Sequence, residues 1–333
     1  MKKIQSDNYQ ILIGTNILKN LDLKSYSKIA VLVDEKTFIH CLPILINEHQ
    51  KLKQSTIIKI KGGEKHKTIN TVQVILKELV DKKFNRKSIL INLGGGIIGD
   101  IGGFCASIYK RGINYIHIPT SLLAMVDASI GGKVGVNQQC LKNNIGLFSN
   151  PASVIIDTTF LKTLPKKEMH NGFAEVLKHA LIADKNLWNK IIKTDFDLLE
   201  WEEIIKKSVE IKNTIVCSDP NEKNLRKKLN FAHTYAHAIE SYYLQKNNPI
   251  SHGEAVYIGI MLESELSKIN NEEKIQIKNY ILSNFKLPLI PSKNELLKFL
   301  IHDKKNLNEL INFSLLTKIG ECTIDKMFSI NEL

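Results

Sequence analysis

The segment Ser88-Ile-Leu-Ile-Asn-Leu93 runs directly into Gly94-Gly95-Gly96-Ile97-Ile98-Gly99-Asp100, and this junction decides the fold class. A short run of β-branched residues and leucine reads as a buried strand, and the glycines mark a tight turn into a helix. Glycines at such a turn allow close backbone approach, and the first N–H groups of the helix face a phosphate with the positive end of the helix dipole. Residues 94, 96 and 99 satisfy G-x-G-x-x-G formally. No acidic residue follows about 20 positions on, where a standard dinucleotide fold places its ribose acid. The turn also follows the third or fourth strand, not the first. A second cluster, Ile130-Gly131-Gly132-Lys133-Val134-Gly135-Val136-Asn137, sets a lysine among glycines, where it can reach an anion that the backbone cradles. Phosphate binding is therefore the reading adopted.

Outward from the turn, short apolar runs recur at Lys28–Asp34, Ser55–Lys61, Tyr115–Ile118 and Ser153–Ile156. Between the second run and the glycine turn, Ile69, Val72, Leu76 and Leu79 keep a helical spacing over Thr68–Lys82. Strand and helix in alternation predict βαβ units and a largely parallel sheet with both faces covered. After Leu164-Pro165 the pattern reads mainly as helices, with Pro288 and Pro291 marking a late break. The expectation is an α/β fold in two domains: a Rossmann-like parallel-sheet domain over residues 1–160 and a mainly α-helical domain over 161–333. A cleft between two such domains is the usual place for a site.

The composition narrows the partners. The net charge is +12, yet only Arg86, Arg111 and Arg226 of the 46 basic residues are arginines, and the lysines form no basic block. An anionic metabolite is a better expectation than nucleic acid. Five scattered cysteines with no C-x-x-C pair argue against a disulfide framework and for a reducing cytoplasm. The N-terminus turns polar at once, without a signal-peptide core, and no apolar run approaches the ~20 residues that span a bilayer.

The strongest chemical signal is Asn230-Phe-Ala-His233-Thr-Tyr-Ala-His237-Ala-Ile-Glu240. Read as one helix, Arg226, Asn230, His233 and His237 follow a 4, 3, 4 spacing, so a stripe that normally carries core residues is polar. Ala232 and Ala236 suit close packing of that helix. A lone His-x-x-x-His pair is more commonly structural than metal-binding. With His252 in Ser251-His252-Gly253-Glu254, and a carboxylate from elsewhere, three ligands and an open position for substrate become available to zinc. Glu175, Glu168 and Glu254 are all open as that carboxylate on spacing alone.

At this point ordered motifs resemble a known family. The run Gly94–Arg111, Pro119-Thr120-Ser121-Leu122-Leu123, Val126–Lys133, Lys142-Asn143-Asn144-Ile145-Gly146, Ala174-Glu175-Val176-Leu177-Lys178, the His233/His237 segment and His252-Gly253-Glu254 together resemble the 3-dehydroquinate synthases, over roughly residues 30 to 320. The resemblance implies a lyase of the shikimate pathway, in aromatic amino acid biosynthesis. Such an enzyme converts 3-deoxy-D-arabino-heptulosonate 7-phosphate to 3-dehydroquinate and phosphate by transient NAD oxidation, phosphate elimination, re-reduction and aldol closure. It implies NAD and zinc or cobalt as cofactors, with Glu175, His233 and His252 as metal ligands and His237 as a nearby histidine. By the same resemblance Asp34, Glu64, Lys67, Gly95, Gly96, Asp100, Thr120, Ser121, Leu123, Asp127, Lys133, Lys142, Asn143 and Thr163 touch NAD. Asp127, Lys133, Asn143, Lys178, Lys212, Arg226, Asn230 and Lys304 surround the substrate, with Lys305 an alternative to Lys304. Arg111 reaches the site of a partner subunit, which implies a homodimer.

The chain departs from the family pattern where Ala232, Ala236 and Ala180 replace glycines and Leu141 replaces the glycine before Lys142. Alanine favours a helix over glycine, so tighter packing is expected at the alanines. Leu141 is the departure expected to carry strain, because a loop glycine with positive φ is not replaced freely. Two related readings remain: another sugar-phosphate cyclase, of the 2-deoxy-scyllo-inosose or valiolone synthase type, and a metal-dependent polyol dehydrogenase. A basic nucleic-acid binder is the reading from a different class.

Overall fold

The structure, a computed structural model, describes residues 1–138, 141–301 and 310–333. It falls into two compact units, Met1–Met169 and His170–Leu333.

In the first unit the strands are β1 (Lys2–Gln5), β2 (Gln10–Gly14), β3 (Ile29–Val33), β4 (Thr56–Lys59), β5 (Ile89–Gly94), β6 (Asn114–Pro119), β7 (Lys133–Gln138), β8 (Leu141–Phe148) and β9 (Ser153–Asp157). Its helices are α1 (Glu35–His40), α2 (Leu42–Glu48), α3 (Ile69–Asp81) and α4 (Gly96–Ile108), and α5 (Lys166–Ala183) runs on into the second unit. Seven strands form one sheet in the order β1-β2-β9-β6-β5-β3-β4, parallel throughout except for β1. All six residues of β5 are buried, Asn92 among them, as a strand covered on both faces requires. Thr68 caps α3, which buries Val72 and Leu79 as the spacing predicts, with Ile75 in the core beside them and Ile69 and Leu76 partly buried against it. The polar β1 and short β2 escaped that reading, so the glycine turn follows the fifth strand of the chain. β7 and β8 form a separate antiparallel hairpin.

The second unit contains the rest of α5, then α6 (Lys185–Ile192), α7 (Trp201–Ser218), α8 (His233–Gln245), α9 (His252–Leu266), α10 (Asn271–Asn284) and α11 (Lys293–Leu300). It ends in a hairpin of β10 (Ile311–Lys318) and β11 (Glu321–Phe328), which the helical reading of this half did not foresee. α9 is buried almost all round, from Gly253 to Ser264, and is the central helix of the unit. Among the described residues no helix is long and apolar enough to cross a membrane.

Candidate active site

In the first unit the residues that the resemblance assigned to a dinucleotide collect at the carboxyl ends of adjacent parallel strands, where open α/β sheets place their ligands. Asp34 follows β3 and caps α1, accepting from the Thr37 N–H at 2.8 Å. Gly95 is the cap position between β5 and α4 and Gly96 the first residue of α4, with no side chain capping the helix start. The free N–H groups there are open to an anion, and a Cβ on Gly96 would come within 3.1 Å of Ala128. Thr120 follows β6 and donates its N–H to the Gly94 carbonyl at 3.0 Å, with Ser121 and Leu123 next in the chain. Thr163 belongs to the 3-10 turn after β9.

Loops tie a second set to that edge. Buried Lys67 donates to Asp100 and to Asn143. Burial pushes Asp100, in the first turns of α4, up to about 6 against the pull of Lys67. Glu64 accepts from Asn137 at 2.8 Å, and the Asn143 N–H donates to the side chain of the same Asn137. Asp127 sits in the turn Ala124–Ala128, and Lys133 and Lys142 are exposed at the start of β7 and in β8. Arg111 stands apart. It follows the far end of α4, and 13 residues of helix place it roughly 20 Å from the glycine turn. There it lines a cavity of about 400 Å³ together with Arg86 and Phe148.

In the second unit three ligand-type atoms converge. Glu175 Oε1, from α5, lies 3.4 Å from His233 Nε2 on α8 and 3.3 Å from His252 Nε2 on α9. Glu175 is fully buried, and its other oxygen pairs with Lys178, three residues along α5. Burial works against the Glu175 charge, yet the ammonium of Lys178 beside it holds its carboxyl well below the usual range. Burial and the charge of Lys178 lower His233, so its imidazole is neutral, and its Nδ1 lies 3.1 Å from the Phe231 carbonyl. That bond leaves Nε2 as the lone-pair nitrogen facing Glu175. Burial opposes a proton on His252 too, but hydrogen bonds to Glu175 and Glu240 overcome it and push this histidine up to about 10. The three ligand atoms lie within 4.8 Å of one another.

Other residues assigned to this region stand on neighbouring elements. The His237 ring is 5.5 Å from that of His233, edge to face. Lys212 is buried on α7. Arg226 and Asn230 belong to a 3-10 turn, Leu225–Asn230. The guanidinium of Arg226 donates to the Pro220 carbonyl at 2.7 Å, and Asn230 donates to Glu222 at 3.0 Å. Lys304 and its alternative Lys305 lie outside the described residues.

Two expectations need correction. The polar stripe is not one helix. It breaks at Phe231 and at Ala232, whose φ of 72° and ψ of −16° are left-handed, and α8 starts at His233. The strained replacement is therefore Ala232. Leu141 opens β8 opposite Gln138 on extended backbone. Glu240, 3.6 Å from His252 Nδ1, was not assigned a role, although it sits seven residues after His233 on the same helical face.

Comparison with known proteins gives the family. Residues 57–171 match the family model for the 3-dehydroquinate synthase N-terminal region, and 172–306 match its C-terminal counterpart. A 3-dehydroquinate synthase from Campylobacter concisus is 39% identical over 328 residues, covering 97% of this chain and 93% of its own. The chain belongs to the 3-dehydroquinate synthase family. Its activity is that of the family, a lyase reaction of the shikimate pathway. The fold is also that of a 2-deoxy-scyllo-inosose synthase solved with carbaglucose-6-phosphate, NAD+ and Co2+, with a TM-score of 0.86 at 22% identity over 98% of this chain and 96% of the other. A 2-epi-5-epi-valiolone synthase from Streptomyces hygroscopicus, with NAD+ and Zn2+ bound, gives 0.86 at 24% identity over 100% and 96%.

The two alanines near the histidines should respond to glycine with opposite signs. Ala232→Gly removes the left-handed penalty and should stabilise the protein by about 0.5–1 kcal/mol. Ala236→Gly, inside α8, should destabilise it by about 1 kcal/mol. Urea unfolding of both variants checks the pair, and shifts of the same sign would contradict the assignment of strain to position 232.

Proposed function

We propose that the chain converts 3-deoxy-D-arabino-heptulosonate 7-phosphate to 3-dehydroquinate and phosphate, with residues 1–160 binding NAD and residues 161–333 binding a divalent metal, zinc or cobalt, and most of the substrate. The convergence of Glu175, His233 and His252 in a chain of this family carries the reading. One carboxylate and two imidazoles, one of them neutral, are a donor set that suits either ion and leaves positions for substrate oxygens. Asp34, Glu64, Lys67, Gly95, Gly96, Asp100, Thr120, Ser121, Leu123, Lys142 and Thr163 are assigned to NAD. Bound, the metal supplies Lewis acidity toward substrate hydroxyl oxygens, and NAD supplies a hydride acceptor that is returned to its starting state.

The chain's own residues bind and orient. The substrate carries a carboxylate and a phosphate, and charge-assisted donors answer both: Lys133, Lys178, Lys212, Arg226 and Lys304, with the amides of Asn143 and Asn230 and with Asp127 beside them. The Pro220 carbonyl accepts from one guanidinium nitrogen of Arg226 at 2.7 Å and so aims its planar fork, while Asp219 accepts the Arg226 backbone N–H at 3.1 Å and anchors the turn. His237 holds and passes a proton on the imidazole that faces His233. Arg111, too far along α4 to serve the glycine turn of its own chain, completes the site of a second copy in a homodimer. None of the four described cysteines is in a disulfide, which supports a reducing cytoplasm as the setting.

Purified protein with NAD and zinc should release phosphate from the heptulosonate phosphate, lose that activity to a chelator and accumulate no NADH. Folded, loaded protein that releases phosphate only from a sugar phosphate lacking the carboxylate would move the reading to another cyclase.

Metal uptake should carry a proton signature. His252 is raised to about 10, so at neutral pH the metal-free protein carries that proton and must lose it to ligate. Calorimetry in two buffers of different ionisation heat should report release of about one proton per metal, and affinity should rise with pH toward that value. A buffer-independent heat would count against His252 as a ligand.

The dimer reading predicts complementation. Arg111→Ala and His233→Ala should each be inactive, and subunit exchange between them should restore about one quarter of wild-type activity, since half of the sites in half of the dimers are intact. No recovery after verified exchange would remove Arg111 from the partner's site.

A further inference from the structure

α8 starts without a cap of its own. The cap position is Ala232, which offers no side-chain acceptor, although the first N–H groups of any helix need one. The acceptor comes from α9. Glu263, fully buried, accepts the Ala232 N–H at 2.7 Å with one oxygen and the Tyr235 N–H at 3.1 Å with the other. One turn earlier on α9, Gly259 makes room for the same turn: a Cβ there would lie 2.0 Å from the Ala232 carbonyl oxygen. Gly259 and Glu263 follow His252 by 7 and 11 residues, which places each within about 20° of His252 around the helix. One face of α9 thus carries a metal-ligand candidate, the notch that admits the start of α8 and the carboxylate that holds it.

We propose that Glu263 is a positioning residue for the metal group: a cap supplied by the neighbouring helix that fixes the first turn of α8, and so sets His233 against His252. The proposal rests on the metal reading above. His233 is the first residue of α8, between the two N–H groups that Glu263 holds, so it is the side chain that moves if that turn frays. The same bonds offset the left-handed conformation of Ala232. Losing them leaves buried donors without acceptors, at the residue before a ligand and two residues after it.

The test uses Co2+ titration of the metal-free full chain, with affinity read by chelator competition and ligand geometry by the visible d–d band. Glu263→Gln keeps the shape but sets an NH2 group against one of the two N–H donors. It should weaken Co2+ binding by about 10-fold and shift the band, while the far-UV circular dichroism and NAD affinity stay as in the wild type. Ala232→Gly added to that variant should recover at least half of the lost affinity on a logarithmic scale, because glycine holds the left-handed turn unaided. If Glu263→Gln does not fold, Glu263→Asp keeps the charge but cannot span both donors, and a smaller loss in the same direction is expected. Co2+ affinity within 2-fold of wild type and an unchanged band, even with a lowered Tm, would overturn the proposal and leave Glu263 a stabilising cap. Wild-type protein that binds no Co2+ would overturn the metal reading first and this inference with it.

Discussion

A carboxylate with no exposure to water governs the second unit. Glu175 is enclosed on α5, and a buried charge is tolerated only where opposite charge and hydrogen bonds surround it. Lys178 comes from the same helix, three residues on, but His233 and His252 come from α8 and α9, so three helices must deliver side chains to one point. Much of the surrounding structure serves that delivery. A capping box between Ser251 and Glu254 fixes the start of α9 at His252. The turn that precedes α8 is held by β10 on one side, where Ser314 donates to the Lys227 carbonyl, and by Asp219 on the other.

The first unit solves a different problem with different means. The residues proposed for NAD lie in short loops at the ends of β3, β4, β5, β6 and β9, so their placement depends on where strands stop and helices begin. Position along the sheet is set by continuous burial of the strands, and a few polar links such as Lys67 to Asp100 and Asn143 draw the loops together. Substitutions at exposed loop positions are expected to cost little stability here, unlike those around Glu175, whose neighbours hold a buried charge.

This difference also decides what could be read from the sequence. Five strands, α3 and the glycine turn were legible, because apolar runs and 3.6-residue spacing report burial directly. β1 was not legible, since an edge strand reading Lys-Lys-Ile-Gln has little apolar signal, and the hairpin β10–β11 was masked by the helical half that contains it. The ligand candidates were legible by type and by resemblance, but not their approach. The 4, 3, 4 spacing of Arg226, Asn230, His233 and His237 fits a continuous helix, and nothing in that spacing registers a left-handed residue in the middle of it. Glu240 carried a signal in its place on the His233 face; Glu263 carried none, because its partners are backbone groups of another helix.

Ala232 shows why such a residue stays hidden. An alanine adopts φ of 72° only where its surroundings determine the backbone more strongly than its own preference does. Here α9 does so with a glycine notch and a carboxylate cap, whereas Ala236 and Ala180 lie within helices and follow the local rule. The replacement that looked harmless in sequence is the strained one, and Leu141, which looked strained, lies on extended backbone. A propensity argument treats each position alone; at Ala232 the conformation belongs to α8 and α9 jointly. Strain kept one residue before a metal-ligand candidate therefore marks a place where helix packing, not local preference, fixes the geometry of the site.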